Sequence, residues 1–338
     1  MAKILFAAGG SIGHIAPCVA VWRAAQMLDR RAQTHFICST RKEDLIFLQT
    51  EGAAFTALCG RRVTTWSLPM MILRAWKILG RVKPDVIFSK GGGVTVPVAL
   101  AGRAMGIPLV IHESDAVPGR ATRLLSRFAE RVCRGFPGNP VRPELFSGSR
   151  EKGFVITGLS GSRPVLLVMG GSQGASALND AITAQLDAIL SLVDVVHITG
   201  AGKSGAAPRT GRYWTREFAH EDYPHLLAIA DMALSRAGAG AISEFAALGI
   251  VPMLVPLRGL AHDHQEKNAR AAEEKGACVV IEQDALGSAL LRAIVRFGTD
   301  ANFFSEIRRN ICALADLDAG KKTADILLAV AHEYGGVP

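Results

Sequence analysis

The sequence lacks several features that would place it in common protein classes. Its six cysteines lie far apart without a Cys-x-x-Cys pair, which excludes a disulfide framework and a zinc ribbon. Each apolar run is interrupted by glycine, proline or a charge before it reaches the roughly 18 residues of a membrane-spanning helix. The apolar run after Lys3 is too short for a secretory signal, so we expect the protein to stay in the cytoplasm.

Two nucleotide-binding fingerprints do not fit the glycine-rich segments. Neither the turn at Gly9–Gly13 nor the turn at Gly170–Gly174 reads Gly-x-Gly-x-x-Gly, and the second predicted strand ends at Ser39-Thr40-Arg41 rather than at an acid that could hold a ribose. The segment Gly200–Ser204 is not a P-loop, because that frame needs glycine where His197 stands. These absences argue against nicotinamide chemistry and a Walker-type site. No third ligand has suitable spacing to residues 262–264, so no metal site is predicted there.

Positive charge is concentrated in the first part of the chain. Residues 1–142 contain 20 Lys and Arg against 8 Asp and Glu, whereas residues 143–338 contain 18 against 22. This asymmetry indicates an anionic partner, either a membrane surface or a nucleic acid, or else a solvated basic face. Because no nucleic-acid recognition motif accompanies the charge, nucleic acid is the least favoured of these partners.

The most basic segment is residues 61–83, with six basic residues and no acid. Helical spacing places Arg74, Lys77 and Arg81 on one face. The predicted apolar face consists of Met71, Ile72, Trp76, Ile78 and Leu79. An interfacial membrane helix and an ordinary core helix both fit this pattern, and the basic first half favours the membrane helix.

Short apolar runs alternate with helix-length amphipathic stretches, which is typical of βαβ units around parallel sheets. The predicted strands are residues 3–8, 34–40, 85–89, 109–113, 165–169, 193–199, 232–235, 251–255 and 277–281. The predicted helices include residues 15–30, residues 42–51 and a stretch from the strand at 165–169 to about Leu190.

A repeated turn indicates two similar domains. Gly9-Gly10-Ser11-Ile12-Gly13 follows the first strand, and Gly170-Gly171-Ser172-Gln173-Gly174 follows the strand at 165–169. This repeat predicts two Rossmann-like α/β domains that face each other across a cleft. We place the domains at residues 1–142 and 143–319, and expect the last helix, residues 320–338, to pack back on the first domain.

Polar and glycine-rich segments at the predicted strand ends are the candidate sites. Each repeated glycine turn offers backbone N–H groups to an anion such as a diphosphate, or serves only as a tight turn. His14 follows the first turn at a helix start, where a neutral imidazole could act as a base. His112–Asp115 forms a second polar cluster at the end of a strand, so we expect a site in the first domain.

In the second domain, Ser235–Glu244 is the most specific segment. A strand ends, small residues follow, and a helix begins whose positive N-terminus suits a diphosphate. Glu244 could accept hydrogen bonds from vicinal ribose hydroxyls, or only complement the helix dipole. The amides of Gln265 and Asn268 suit sugar hydroxyls.

Together these motifs resemble the MurG family, the UDP-N-acetylglucosamine:N-acetylmuramyl-(pentapeptide) pyrophosphoryl-undecaprenol N-acetylglucosamine transferases. The segments that match in order and spacing are Gly9–His14, Lys90–Gly92, His112–Gly119, Gly138–Arg142, Gly170–Ala175, Ser235–Glu244 and Gln265–Ala269. The resemblance implies a GT-B fold and an inverting transfer without a metal or other cofactor. It also implies a peripheral enzyme on the cytoplasmic face of the inner membrane.

The implied substrates are UDP-GlcNAc and undecaprenyl-linked MurNAc-pentapeptide, whose C4 hydroxyl receives GlcNAc. The resemblance places the acceptor diphosphate at the first glycine turn, the donor phosphates near Arg142, uracil near Ala219 and ribose on Glu244. The implied substrate-binding residues are Ser11, Ile12, Gly13, Asp115, Arg142, Ser172, Ala219, Ala239, Gly240, Ala241, Ile242, Ser243, Glu244 and Gln265. Ile12 and His264 depart from the family pattern.

The resemblance suggests one displacement, in which a base takes the proton from the acceptor hydroxyl as UDP leaves. His14 is the first candidate base, with Glu113 and Asp115 as alternatives. Other functions compatible with the motifs are a different UDP-sugar enzyme of this fold, such as a glycolipid glycosyltransferase or a UDP-GlcNAc epimerase. A non-catalytic nucleotide-sugar-binding scaffold is a further alternative.

Overall fold

Parallel β-sheets organise both halves of the chain. The computed structural model describes residues 1–59, 63–64, 66–171, 174–203, 207, 211–259 and 263–335. The chain divides into two units, which we call the first unit (Met1–Val141 with Asp316–Pro338) and the second unit (Arg142–Ala315).

The first unit contains strands β1–β6 and helices α1–α5, and the C-terminal helix α14 returns to it. The strands are Lys3–Ala7, Gln33–Ser39, Phe55–Cys59, Val86–Ser89, Leu109–Glu113 and Arg131–Arg134. The helices are Ile12–Leu28, Lys42–Thr50, Leu68–Val82, Thr95–Ala104, Arg120–Leu125 and, for α14, Ala319–Tyr334.

The second unit contains strands β7–β12 and helices α6–α13. The strands are Val165–Met169, Asp194–Ile198, Tyr213–Arg216, Met232–Ser235, Val251–Leu254 and Val279–Val280. The helices are Arg150–Thr157, Ser176–Ala184, Leu186–Leu192, Tyr223–Ile229, Ala239–Leu248, His264–Glu273, Leu286–Thr299 and Ala301–Cys312. Short 3-10 helices span Pro143–Ser147 and Gln283–Ala285.

The two sheets have the same strand order. The first runs β3-β2-β1-β4-β5-β6 and the second β12-β11-β10-β7-β8-β9. The strand order therefore reverses between β1 and β4 in the first sheet and between β7 and β10 in the second. In open α/β sheets, ligands bind where the strand order reverses, beyond the carboxyl ends of the strands. The expected sites are therefore the ends of β1 and β4 in the first unit, and the ends of β7 and β10 in the second.

Apolar side chains cover the first sheet on both faces. One face packs against α1 and α14 around the stacked rings of Phe6 and Phe36, and α14 contributes Leu327 and Ala331. The other face packs against α3 and α4, with Ile87 at its centre. Burial of apolar surface therefore holds the helices on both faces of the sheet. The ends of the strands are not needed for this packing and can carry a binding site.

Several sequence-based boundaries differ from the structure. Strands β3, β6 and β9 are not predicted, because an edge strand is bonded on one side only and needs no continuous apolar run. The predicted helix to about Leu190 is divided at Gln185 into α7 and α8. Helix α1 begins at Ile12, three residues earlier than predicted, so His14 lies in its first turn.

Helix α3 packs on the core, as the second of its two interpretations predicts, but Trp76 was assigned to the wrong face. Met71 and Leu79 are buried, whereas Trp76 is 42% exposed. The reason is that Ala75 occupies the centre of the buried stripe, and the next residue is rotated by about 100° around the helix. The face opposite the core thus carries apolar side chains as well as the basic ones.

Candidate functional site

In the first unit, the turn after β1 is held by the neighbouring β2–α2 connection. The Gly10 N–H donates to Asp44 Oδ2 over 2.7 Å, and the Arg41 guanidinium donates to the Gly10 carbonyl. A Cβ on Gly9 would lie 2.7 Å from the Ser39 nitrogen, so glycine is required there. The turn is therefore fixed before any ligand arrives.

Beyond this turn, helix α1 presents its N-terminus. Ser11 is the N-cap and makes no side-chain capping bond, and no acid occupies the first turn. Gly13 is exposed, whereas Ile12 packs partly against the core. The side chain of Ile12 therefore points partly into the protein, and the N-terminus keeps its positive end for an anion.

His14 is oriented by the same turn. Its Nδ1 lies 3.1 Å from the Gly9 carbonyl oxygen, which can only accept, so Nδ1 carries the proton and Nε2 is the basic nitrogen. The imidazole also lies against Gly92, where an added Cβ would be 3.2 Å from Nδ1. The ends of β1 and β4 thus meet at the side chain that the sequence predicts as the base.

The carboxylate of Glu113, the alternative base, accepts hydrogen bonds from the backbone of a neighbouring loop. It is buried, and its two oxygens accept the N–H groups of Asp115 and Gly119 over 3.1 Å each. A carboxylate that holds a loop in this way has a positioning function. Asp115 is half-buried at the start of that loop.

Lys90, which directly follows β4, is a buried charge to which the sequence assigns no role. Burial lowers the pKa of its ammonium to about 8, against the opposing effects of Cys18, Glu113 and Asp115. Its Nζ has no hydrogen-bond partner among the described residues. The first unit therefore keeps a cation beside the polar cluster at the ends of β4 and β5.

In the second unit, helix α10 starts directly after β10. Gly238 is the N-cap, and the Ile242 N–H is the first to bond back, to the Gly238 carbonyl over 3.1 Å. The N–H groups of Ala239, Gly240 and Ala241 have no carbonyl of their own helix to bind. A Cβ on Gly240 would meet no atom of the described residues within 4 Å outside its own helix backbone, so these residues leave the space beside the turn open.

Glu244 lies one turn further along α10 and contacts Tyr223. The Tyr223 hydroxyl donates to Glu244 Oε2 over 2.7 Å. Burial raises the pKa of Glu244, and the positive charge of Arg142 and the Tyr223 hydrogen bond both oppose that rise. The structure thus brings Arg142 and Glu244 together, 102 positions apart in the sequence.

The two amides near α11 contact the chain in different ways. Gln265 Oε1 accepts the Leu257 N–H over 3.0 Å, so its amide nitrogen is left as a donor for a sugar hydroxyl. Asn268 is buried and donates to the Ala237 carbonyl over 3.3 Å. Asn268 therefore supports the turn that leads into α10 instead of facing solvent.

The remaining predicted residues are placed unequally. Ile242 and Ser243 are buried, and the Ser243 hydroxyl donates to the Ala239 carbonyl inside the helix. Ala219 is half-buried in the loop after β9. Ser172 lies outside the described residues. Within the described ranges, no group of three or more His, Cys, Asp or Glu side chains could hold a metal ion.

Sequence-based reasoning missed the supporting residues. Asp44, Lys90 and Tyr223 each act on a predicted site from another segment of the chain. Lys90 belongs to a matching motif, which is a signal that could have singled it out. Asp44 and Tyr223 carry no local signal, because their contacts arise from the strand order.

Family models match both units. The model "Glycosyltransferase family 28 N-terminal domain" matches residues 4–134, and "Glycosyltransferase family 28 C-terminal domain" matches residues 165–317.

Curated relatives extend this similarity over most of the chain. A "UDP-N-acetylglucosamine--N-acetylmuramyl-(pentapeptide) pyrophosphoryl-undecaprenol N-acetylglucosamine transferase" of Shouchella clausii is 36% identical over 322 residues, 88% of this chain and 90% of the relative. The protein of that name from Geobacillus kaustophilus is also 36% identical, over 87% of this chain and 90% of the relative.

A solved structure shares the fold. The crystal structure of Acinetobacter baumannii MurG matches with a TM-score of 0.74 at 24% identity, over 97% of this chain and 99% of that chain. Together with the two doubly wound sheets and the family models, this match confirms the predicted GT-B fold of two Rossmann-like units.

Proposed function

Because the chain belongs to the MurG family within glycosyltransferase family 28, we propose that it transfers N-acetylglucosamine from UDP-GlcNAc to undecaprenyl-linked N-acetylmuramyl-pentapeptide. The acceptor is the C4 hydroxyl of MurNAc, and the product serves peptidoglycan synthesis. The observation that carries the donor side is the start of α10. Free N–H groups there suit the diphosphate, and Glu244 follows at the spacing expected for the ribose.

The leaving UDP develops negative charge on its diphosphate. The N-terminus of α10 and the Arg142 guanidinium supply positive charge in fixed positions, which is the arrangement that stabilises a charged leaving group. This supports a transfer that proceeds without a metal ion. The Gln265 amide nitrogen is the proposed donor to a GlcNAc hydroxyl.

His14 is the proposed general base. Its Nε2 takes the proton from the acceptor hydroxyl, whose oxygen attacks the anomeric carbon while the bond to UDP breaks, so that the configuration inverts from α to β. The support is the Gly9 carbonyl, which holds the proton on Nδ1 and leaves the Nε2 lone pair free. The proposed partner of the acceptor diphosphate is the start of α1, Ser11–Gly13, with Asp115 as a neighbour.

We propose that α3 and Trp66, two residues before its start, bind the inner membrane surface. Met70, Leu73 and Trp76 are exposed on the face of α3 opposite the core, and Trp66 is 94% exposed. The basic side chains Arg74, Lys77 and Arg81 are exposed on the same helix. Exposed aromatic and apolar groups among cations suit the headgroup region of an anionic bilayer. No helix in the described parts of the chain has the length and apolar character to cross a membrane.

The test of the reaction is transfer of radiolabelled GlcNAc from UDP-GlcNAc to a soluble analogue of lipid-linked MurNAc-pentapeptide. EDTA is present, and UDP-glucose competes as donor. We expect labelled disaccharide despite EDTA. Bound UDP-GlcNAc without transfer would instead favour the scaffold, and epimerised UDP-sugar without acceptor would favour an epimerase.

A further inference from the structure

The contact between Tyr223 and Glu244 joins three elements at the point where the second sheet reverses. Tyr223 is the first residue of α9, and Glu244 lies in α10. The Tyr223 hydroxyl is 2.7 Å from Glu244 Oε2 and 3.6 Å from Sδ of Met169, the last residue of β7. The hydroxyl therefore sits between the end of β7 and the helix that follows β10.

The hydrogen bond from Tyr223 occupies Oε2 of Glu244 and leaves Oε1 available to a ligand. No residue in the described parts of the chain donates a hydrogen bond to Glu244 Oε1. Without this hydrogen bond, the Glu244 carboxylate would rotate about its last side-chain bond, because the χ3 torsion of glutamate has a broad range of allowed angles. With Oε2 held by Tyr223, Oε1 keeps one direction in which it can accept further hydrogen bonds.

The direction of the bond between Tyr223 and Glu244 is fixed by protonation. Burial raises the pKa of Tyr223, and the neighbouring Glu244 charge raises it further, so the phenol stays protonated and donates. Burial also favours the neutral form of Glu244, and the Tyr223 bond and Arg142 counteract it. The hydroxyl thus favours the ionised carboxylate, which accepts hydrogen bonds most strongly.

We propose that Tyr223 is a positioning residue for the donor: its hydroxyl holds Glu244 so that Oε1 accepts hydrogen bonds from the ribose hydroxyls of the UDP-sugar. This inference rests on the proposed function, because it needs a uridine nucleotide bound at α10. It adds a specificity role, since the bond favours a ribose over a 2′-deoxyribose.

The experiment compares binding of UDP and 2′-deoxy-UDP by calorimetry in the full chain. For Tyr223→Phe we expect UDP affinity to fall roughly tenfold, as for a lost hydrogen bond to a charged group, with about a twofold effect on 2′-deoxy-UDP. In a Glu244→Ala background, Tyr223→Phe should have no further effect. Equal losses for both nucleotides would overturn the proposal, because a merely structural defect does not distinguish them.

A matched control is Tyr213→Phe. Tyr213 is another buried tyrosine of the second unit, whose hydroxyl bonds to His197 over 2.8 Å. The Tyr213→Phe variant should bind both nucleotides like the wild type. A loss of UDP affinity equal to that of Tyr223→Phe would overturn the proposal. Tyr223→Met, with a flexible apolar side chain, serves as the second variant if Tyr223→Phe does not fold.

The pH dependence gives a further readout. Removal of the hydroxyl raises the pKa of Glu244, so the fall of UDP affinity on acidification should begin at a higher pH in Tyr223→Phe. An unshifted profile would contradict the proposal. If the wild type binds no UDP, the proposed function itself fails, whereas UDP binding that Tyr223→Phe leaves unchanged contradicts only the role of Tyr223.

Discussion

The imidazole of His14 lies against the backbone of Gly92. A Cβ placed on Gly92 would be 3.2 Å from Nδ1 and 3.3 Å from Cε1 of that ring. The two residues follow β1 and β4, the neighbouring strands at which the first sheet reverses its order. The proposed base is therefore held between two glycine turns that are distant in the sequence.

This contact predicts that Gly92→Ala displaces the base. We expect GlcNAc transfer to fall about 10- to 100-fold, because small displacements of a reacting group are costly. The matched control is Gly106→Ala, which has a similar backbone at φ 73° against 85°, but where no atom of the described residues lies within 4 Å of the new Cβ. Equal activity of the two variants, at equal thermal stability, would contradict the prediction.

His14→Ala should abolish transfer while UDP binding persists. Loss of a general base lowers the rate by about 10²- to 10⁴-fold. The donor site of the second unit does not include His14, so the Kd for UDP should match that of the wild type. The measurements are single-turnover transfer and calorimetry. Unchanged turnover would remove His14 from its proposed role.

His197 predicts a pH-dependent stability of the second unit. Its ring is buried between Tyr213 Oη, at 2.8 Å, and Asn179 Oδ1, at 3.0 Å, and burial lowers its pKa from 6.5 to about 4. As the pH falls below 6.5, His197 binds a proton in the unfolded chain but stays neutral in the folded chain. The free energy of unfolding therefore decreases from pH 6.5 down to about 4 and then levels off.

Urea unfolding of the wild type and His197→Gln checks this effect. Glutamine retains polar groups but does not titrate. Between pH 7 and pH 5, the variant should lose about 2 kcal/mol less of its unfolding free energy than the wild type. If both proteins lose the same amount over this range, His197 is not the group responsible.

Helix α3 predicts binding to vesicles that contain anionic phospholipid. Leu73→Glu places a negative charge among exposed apolar and basic groups, so we expect the fraction that sediments with vesicles to fall about tenfold. Added salt should weaken the wild-type binding as well. The control, Val155→Glu, alters an exposed apolar side chain of the second unit and should sediment like the wild type. Similar sedimentation of both variants would contradict the assigned surface.

Much of the fold could be predicted from the sequence, because its signals are local. Alternating apolar runs and helix-length stretches indicate parallel sheets, and the repeated glycine turn indicates two units of one type. His14 and Glu244 could be selected because each follows a strand end within one segment. The edge strand β6 escaped prediction because its Arg131 and Arg134 need no buried position.

The tertiary structure decided what these residues can do. Glu113 is a plausible base by position alone, but its oxygens hold the Asp115 and Gly119 N–H groups. The contacts of Asp44 with Gly10 and of Tyr223 with Glu244 join separate segments, so they cannot be predicted from residue spacing in the sequence. The physical reason is that composition and periodicity determine which elements form, whereas hydrogen bonds between elements depend on the strand order and on which side chains burial brings together.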